Sequence, residues 1–208
     1  METKKLNIAL RFNNDAIDEI WESLEFLDKE FEFKYILNKE NAIPHITLFQ
    51  GLFPEKNIDN LAQAISDIAG NTRGFKLKFK DLVNFKSSVW AEFIKNPEVS
   101  NLHARVVEDI QPLREGLVEP QFESTHPVYQ SLTVTRRKMV DEYGYPHLFE
   151  MFEPHISLMK LVDREMVFII LDRINWRIKE LAITKLAIYD SGEEATAKGL
   201  IREFNLED

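Results

Sequence analysis

A chain of 208 residues, 44% hydrophobic and 29% charged, is long enough to bury one sizeable core or two fused lobes, and its net charge of −9 argues against a protein that grips long nucleic acid through many phosphate contacts. It holds no cysteine, which removes disulfides, thiolate nucleophiles and thiolate metal sites. No apolar run approaches membrane-spanning length, and Met1-Glu2-Thr3-Lys4-Lys5 leads into an alternating strand rather than a signal-peptide core, so the expected location is the cytoplasm.

Leu6, Ile8, Leu10 and Phe12 alternate with Asn7, Ala9 and Arg11, the pattern of a strand with one apolar face. Asn14 is expected to cap a helix carrying Ile17, Ile20, Trp21, Leu24 and Leu27, and 31–37 reads as strand. Asn57 is the expected cap of a second helix with Ile58, Leu61, Ile65 and Ile68, closed by Gly70. Residues 74–95 read as a two-stranded antiparallel unit turning near 86–88, in which Lys76, Lys78 and Lys80 face solvent opposite Phe75, Leu77 and Phe79. Asn96 and Pro97 open a helix to about Arg114, with Val99, Leu102, Val106 and Ile110 inward and Gly116 beyond its end. From 117 to 152 periodicity is poor and three prolines interrupt, with a short helix expected at 133–143; such segments tend to be lids or binding loops. Asp163 then caps a helix to about Ile174, and 179–190 and 200–204 read as strands.

Pro44-His45-Ile46-Thr47-Leu48 returns almost letter for letter as Pro154-His155-Ile156-Ser157-Leu158. In a strand, His45 and Thr47 share one face and Ile46 and Leu48 the other, so each copy offers an imidazole beside a hydroxyl on a hydrophobic anchor. Replacement of Thr by Ser keeps the oxygen and discards only a methyl. A lone histidine on a half-buried strand is usually structural, but a rare residue recurring in the same context points to two equivalent halves.

With these two motifs the chain resembles the 2H phosphoesterase superfamily, marked by one His-x-Thr/Ser-x motif in each of two lobes. The resemblance implies an α+β, bilobal fold with pseudo-two-fold duplication, antiparallel sheets lining a central cleft and helices outside, the lobes lying at about 1–95 and 96–208. It also implies hydrolysis or ligation of 2′,3′-cyclic or 2′,5′-linked nucleotide phosphodiesters without a metal or other cofactor. One imidazole would act as base and the other as acid, an unperturbed pKa near 6.5 suiting both tasks, while Thr47 and Ser157 would donate to the phosphoryl oxygens. The sequence leaves open which histidine takes which part.

Strand parity adds weaker candidates. Arg11, Lys185 and Tyr189 fall on the face opposite the apolar residues of their strands, where they would line the site, Arg11 against phosphate. Trp90 is a candidate to stack on a nucleobase, and Lys160 a candidate phosphate contact. The consecutive Arg136, Arg137 and Lys138 read as a surface cluster, His103 as a surface or boundary residue of its helix, and His126 and His147 as bland positions beside prolines in the irregular segment. No pair of histidines has close ligand spacing, and no phosphate-binding glycine loop or Gly-x-Ser-x-Gly elbow occurs. The expected partner is a small nucleotide or RNA-end substrate, with no long nucleic-acid groove and no membrane; the sequence leaves the oligomeric state open, a monomer being favoured. Alternatives are the same chemistry on a small cyclic phosphate such as an ADP-ribose-like metabolite, and a nucleotide-binding protein without turnover.

Overall fold

Period-two alternation makes Thr3–Phe12 a strand (β1), whose Leu6, Ile8 and Leu10 are fully buried. The computed structural model describes residues 2–27, 31–40, 42–192 and 196–207. After β1 come α1 (Asn14–Glu22), β2 (Phe33–Ile36), β3 (Ile46–Pro54), α2 (Ile58–Ala69), β4 (Phe75–Phe85), β5 (Ser88–Phe93) and α3 (Pro97–Ile110). The remainder is α4 (Pro127–Gln130), α5 (Val134–Tyr143), β6 (His155–Leu161), α6 (Val167–Leu171), β7 (Glu180–Ser191) and β8 (Ala197–Asn205).

The eight strands form one antiparallel sheet in the order β2-β6-β5-β4-β7-β1-β3, with β8 also paired to β7. Strand β4 joins its two halves. Residues Phe75 to Lys78 pair with β7, whereas Phe79 to Phe85 pair with β5 across a register shift between Phe79 and Asp81. The result is an α+β fold in which β1, β3, β7 and β8 form one half of the sheet and β2, β5 and β6 the other. Each half takes strands from both ends of the chain, so the halves of the sheet interleave along the sequence instead of following one another as 1–95 and 96–208. Helices α2 and α3 pack together and against β7, β8 and β3, and α6 packs on β4 and β5.

Several helix ends differ from expectation. The first helix is capped by Asn13, whose Oδ1 accepts from the Ala16 amide at 3.0 Å, and its regular turns stop at Glu22, short of Leu27. Asn57 does not cap α2: a 3-10 turn over Glu55–Asn57 feeds the helix, and the Asn57 amide instead donates to Leu113 O at 2.8 Å. Asn96 does cap α3, which ends at Ile110 and tightens to a 3-10 turn over Gln111–Arg114. The expected helix from Asp163 is a 3-10 turn and the five residues of α6, with Asp163 accepting from Glu165 N at 2.9 Å.

Candidate active site

Both motifs adopt the same local geometry. Pro44 and Pro154 fix φ just before an extended run, and Ile46, Leu48, Ile156 and Leu158 anchor the strands in the core with 1% exposure or less. His45 and His155 each bond through Nδ1 to the carbonyl two residues earlier, Ile43 O at 2.8 Å and Glu153 O at 2.7 Å. A carbonyl only accepts, so Nδ1 carries the proton in both rings and Nε2 is the basic nitrogen of the neutral imidazole. The repeat in sequence is thus a repeat in tautomer.

The first motif is held from β1. Asn7 is fully buried, and its amide nitrogen lies 2.9 Å from Thr47 Oγ1 and 3.1 Å from His45 Nε2. With Nδ1–H donated to Ile43, His45 Nε2 accepts from Asn7. Thr47, accepting from the same amide, keeps its own O–H for donation elsewhere. One side chain therefore sets both polar atoms of the motif. Tyr189 packs beside the His45 ring, with centroids 5.8 Å apart.

The second motif is held by aromatic stacking. His155 lies on Trp90 of the neighbouring β5 at 3.9 Å and 15°, and Trp90 lies on Phe85 of β4 at 4.2 Å and 19°. Burial lowers the His155 pKa from its ordinary value, against smaller raising effects from the Glu153 carbonyl and from Glu92, its partner across the strands.

His45, Thr47, His155 and Ser157 line a single cleft of about 210 Å³. Its far wall comes from the segment that lacks periodicity. Helix α5 contributes Arg136, and the chain after it contributes Tyr145, His147, Met151, Phe152 and Glu153. Gly144, in the left-handed conformation at φ +75°, turns the chain out of α5, and a side chain there would collide with the Arg114 guanidinium. Further on, Phe149 takes a φ of +51°, uncommon for a bulky residue, and is clamped at both backbone groups. Its N–H donates to His103 Nε2 at 2.8 Å and its carbonyl accepts from Lys95 Nζ at 2.9 Å. His103, 1% exposed and stacked on Phe152 at 4.0 Å, is a buried residue and not the boundary residue expected from its helix position. His147 lines the cleft, and burial first, then Arg136, His155 and Lys86, push its pKa down to about 4.

The weaker sequence candidates separate. Arg11, Lys185 and Tyr189 do share a face, but none lines the cleft. Strand β8 brings Glu203 to 3.3 Å from Arg11 and 2.5 Å from Lys185, so both cations share one carboxylate partner away from the cleft. Tyr189 is fully buried, in a small apolar cluster with Ala9, Ala187 and Ala197 under Ile43. Trp90 lines the cleft, yet with Phe85 on one side and His155 on the other it has no free face for a base. Lys160 lines an adjoining compartment of about 340 Å³. Among the described residues, no group of three or more His, Cys, Asp or Glu is placed to hold a metal ion, and no helix is long and apolar enough to cross a membrane. Sequence reasoning does not place Asn7, Arg136 or His147 in the site: Asn7 has the right parity but an unknown neighbour, and the other two sit where no periodic pattern exists.

The arrangement of strands and helices is that of known solved structures. The crystal structure of E. coli LigT in apo form superposes with a TM-score of 0.58 at 16% identity, covering 100% of both chains. The same protein complexed with 3′-AMP gives 0.59 at 15%, and a crystal structure described as a phosphoesterase gives 0.54 at 16%, each again over 100% of both chains. At these identities the likeness is one of fold. No curated protein matches the chain. Residues 50–196, which include His155 and Ser157 and begin just after Thr47, match the family described as "Protein of unknown function (DUF1045)". With more than half of its length matched, the chain belongs to that family.

Proposed function

We propose that this protein is a phosphodiesterase that opens 2′,3′-cyclic or cleaves 2′,5′-linked nucleotide phosphodiesters by acid-base catalysis between His45 and His155. The observation that carries this reading is one cleft lined by two His-hydroxyl pairs, each imidazole presenting Nε2 because Nδ1 is tied to backbone. A phosphodiester between them meets a base on one side and an acid on the other. The base takes a proton from water as its oxygen bonds to phosphorus. The acid delivers a proton to the ribose oxygen whose bond to phosphorus breaks, leaving a phosphomonoester. Thr47 and Ser157 hydroxyls donate to the non-bridging oxygens, where charge is redistributed in the transition state.

His45 suits the base: the hydrogen bond from Asn7 marks its Nε2 as unprotonated, and the attacking water takes the place of the Asn7 amide at that lone pair. His155 takes the part of the acid: burial lowers its pKa, and Glu92, the Trp90 face and the charge of the substrate phosphate act against burial to favour the imidazolium in the complex. Crystal structures of LigT complexed with 3′-AMP and with phosphate share this fold, which supports a nucleotide phosphate as ligand. A cleft of about 210 Å³ favours a mononucleotide-sized group over a strand.

The test incubates purified protein, with chelator present, with the four 2′,3′-cyclic nucleotides, a short RNA bearing a cyclic end and 2′,5′-oligoadenylate, and resolves products by chromatography. Turnover of at least one is expected, with His45→Ala and His155→Ala each losing about 10²-fold or more. A near-normal rate in either variant overturns the two-histidine assignment. Tight nucleotide affinity without chemical change would instead show a binding protein.

A further inference from the structure

The compartment beside the cleft has an electrostatic character that the reaction does not use. It shares Phe85, Trp90, Tyr145, His147, His155 and Ser157 with the cleft, so the two spaces are continuous around the second motif. Beyond those side chains it is walled by Lys86, Ser87, Ser88 and Lys160, with Tyr35 and Met159 beneath. Among the described residues, no Asp or Glu lines it, in a chain carrying 35 of them and a net charge of −9. The cleft itself, by contrast, includes Glu92 and Glu153.

Lys86 is placed there at a conformational cost. Phe85 pairs with Ser88, so Lys86 and Ser87 form a two-residue hairpin tip, and Lys86 sits at its first position with φ +62°. Glycine is the usual residue where a two-residue hairpin needs positive φ, since a Cβ in the left-handed region crowds the following carbonyl oxygen. The tip is also fixed in place. The Leu161 amide donates to Ser87 O at 2.8 Å, and Ser88 pairs with Lys160, so Lys86 on the hairpin tip and Lys160 on β6 both lie at one end of the compartment. Among the described residues Lys86 has no carboxylate partner and lies only over the Phe85 ring at 5.6 Å, unlike Lys4, Lys5, Lys76, Lys80 and Lys185, which are all ion-paired. A strained position that carries an uncompensated cation, beside a second lysine and two hydroxyls, matches a phosphate group better than any apolar or cationic ligand.

We propose that this annex binds a second phosphate of the same substrate molecule, so that the preferred substrate is a small phosphodiester that also carries a terminal phosphomonoester. This rests on the reading of the cleft as the phosphodiester site, and the dianionic monoester then sits between Lys86 and Lys160 while the diester lies between the two histidines.

The experiment has a kinetic and a binding arm. In the first, kcat/KM is measured for adenosine 2′,3′-cyclic phosphate and for the same compound bearing a 5′-phosphate. In the second, calorimetry compares 3′-AMP with adenosine 3′,5′-bisphosphate. Two charge-assisted contacts predict a preference of about tenfold or more for the doubly phosphorylated member of each pair. Lys86→Gly is expected to reduce that ratio to about threefold or less without lowering the thermal midpoint, because glycine relieves the left-handed strain. Lys160→Met provides a second variant that leaves the hairpin tip unaltered. A ratio near one in the native protein, or a full ratio surviving both substitutions, overturns the annex. The binding ratio without turnover would keep the annex and discard the reaction; turnover without any ratio would do the reverse; absence of both discards both.

Discussion

Acid should unfold this protein in part through a single imidazole far from solvent. The pKa of His103 is lowered from 6.5 to about 4, chiefly because burial disfavours the charged ring, with Lys95 adding to the effect. Its Nε2 accepts the Phe149 N–H, a bond that the imidazolium cannot make. Between the two pKa values the unfolded chain holds a proton that the folded chain refuses, so stability is full above about pH 6.5 and falls as pH drops toward 4. From about pH 7.5 to about pH 4.5 the single-site linkage amounts to roughly 2.5 kcal/mol. Urea denaturation followed by tryptophan fluorescence, run across that range for the native protein and for His103→Gln, isolates the effect, since carboxylate contributions are common to both. The native protein should lose roughly 2–3 kcal/mol more than the variant. His103→Leu should be weaker by about 1–3 kcal/mol near neutral pH, because the Phe149 amide loses its acceptor, yet share the flatter acid response. Parallel pH dependences in native and variant proteins would refute this account of His103.

Three further outcomes follow from the site. Asn7→Ala, which removes the amide held to both His45 Nε2 and Thr47 Oγ1, should lower kcat by about tenfold or more at nearly constant KM, and a change within twofold would show that Asn7 does not position the motif. Because burial keeps His155 below its ordinary pKa, one inflection of kcat/KM against pH should fall below about 6.5, and two inflections above neutrality would contradict this. Trp90→Ala should destabilise by roughly 2–4 kcal/mol, since stacking on both sides is lost, whereas Trp90→Phe should leave the relative rates for the four cyclic nucleotides unchanged; altered base selectivity would show that Trp90 does meet the base.

The motif residues are legible because strand alternation tells which way a side chain faces without knowing what it faces. Ile46, Leu48, Ile156 and Leu158 are accordingly buried as their parity requires, while His45 and His155 reach a common cleft. The same parity puts Arg11, Lys185 and Tyr189 on one face correctly and still says nothing of their surroundings. What pairs with the two cations is Glu203, brought there by the pairing of β7 with β8, a contact that no local pattern encodes. Trp90 escapes for a similar reason: its neighbours Phe85 and His155 belong to adjacent strands whose registers only the folded sheet defines. His147 and Arg136 are unreadable because residues 117–152 follow no period, and their placement depends on a chain turned by Gly144 and pinned at Phe149. Helix limits at Glu22 and Leu171 fall short of their apolar periodicity, since 3-10 turns and bends bury the same side chains without continuing the helix.

Strand β4 has a consequence for how this molecule can be taken apart. Severing the chain after residue 95 would leave β4 and β1 together in the first fragment without β7, the strand that lies between them, and β5 without its neighbour β6. Neither fragment could then close its backbone hydrogen bonds, so shuffling, separate expression or transplantation of a half should yield aggregates and not a working module. The two imidazoles therefore depend on one interleaved frame, and neither can be presented by its own half of the chain.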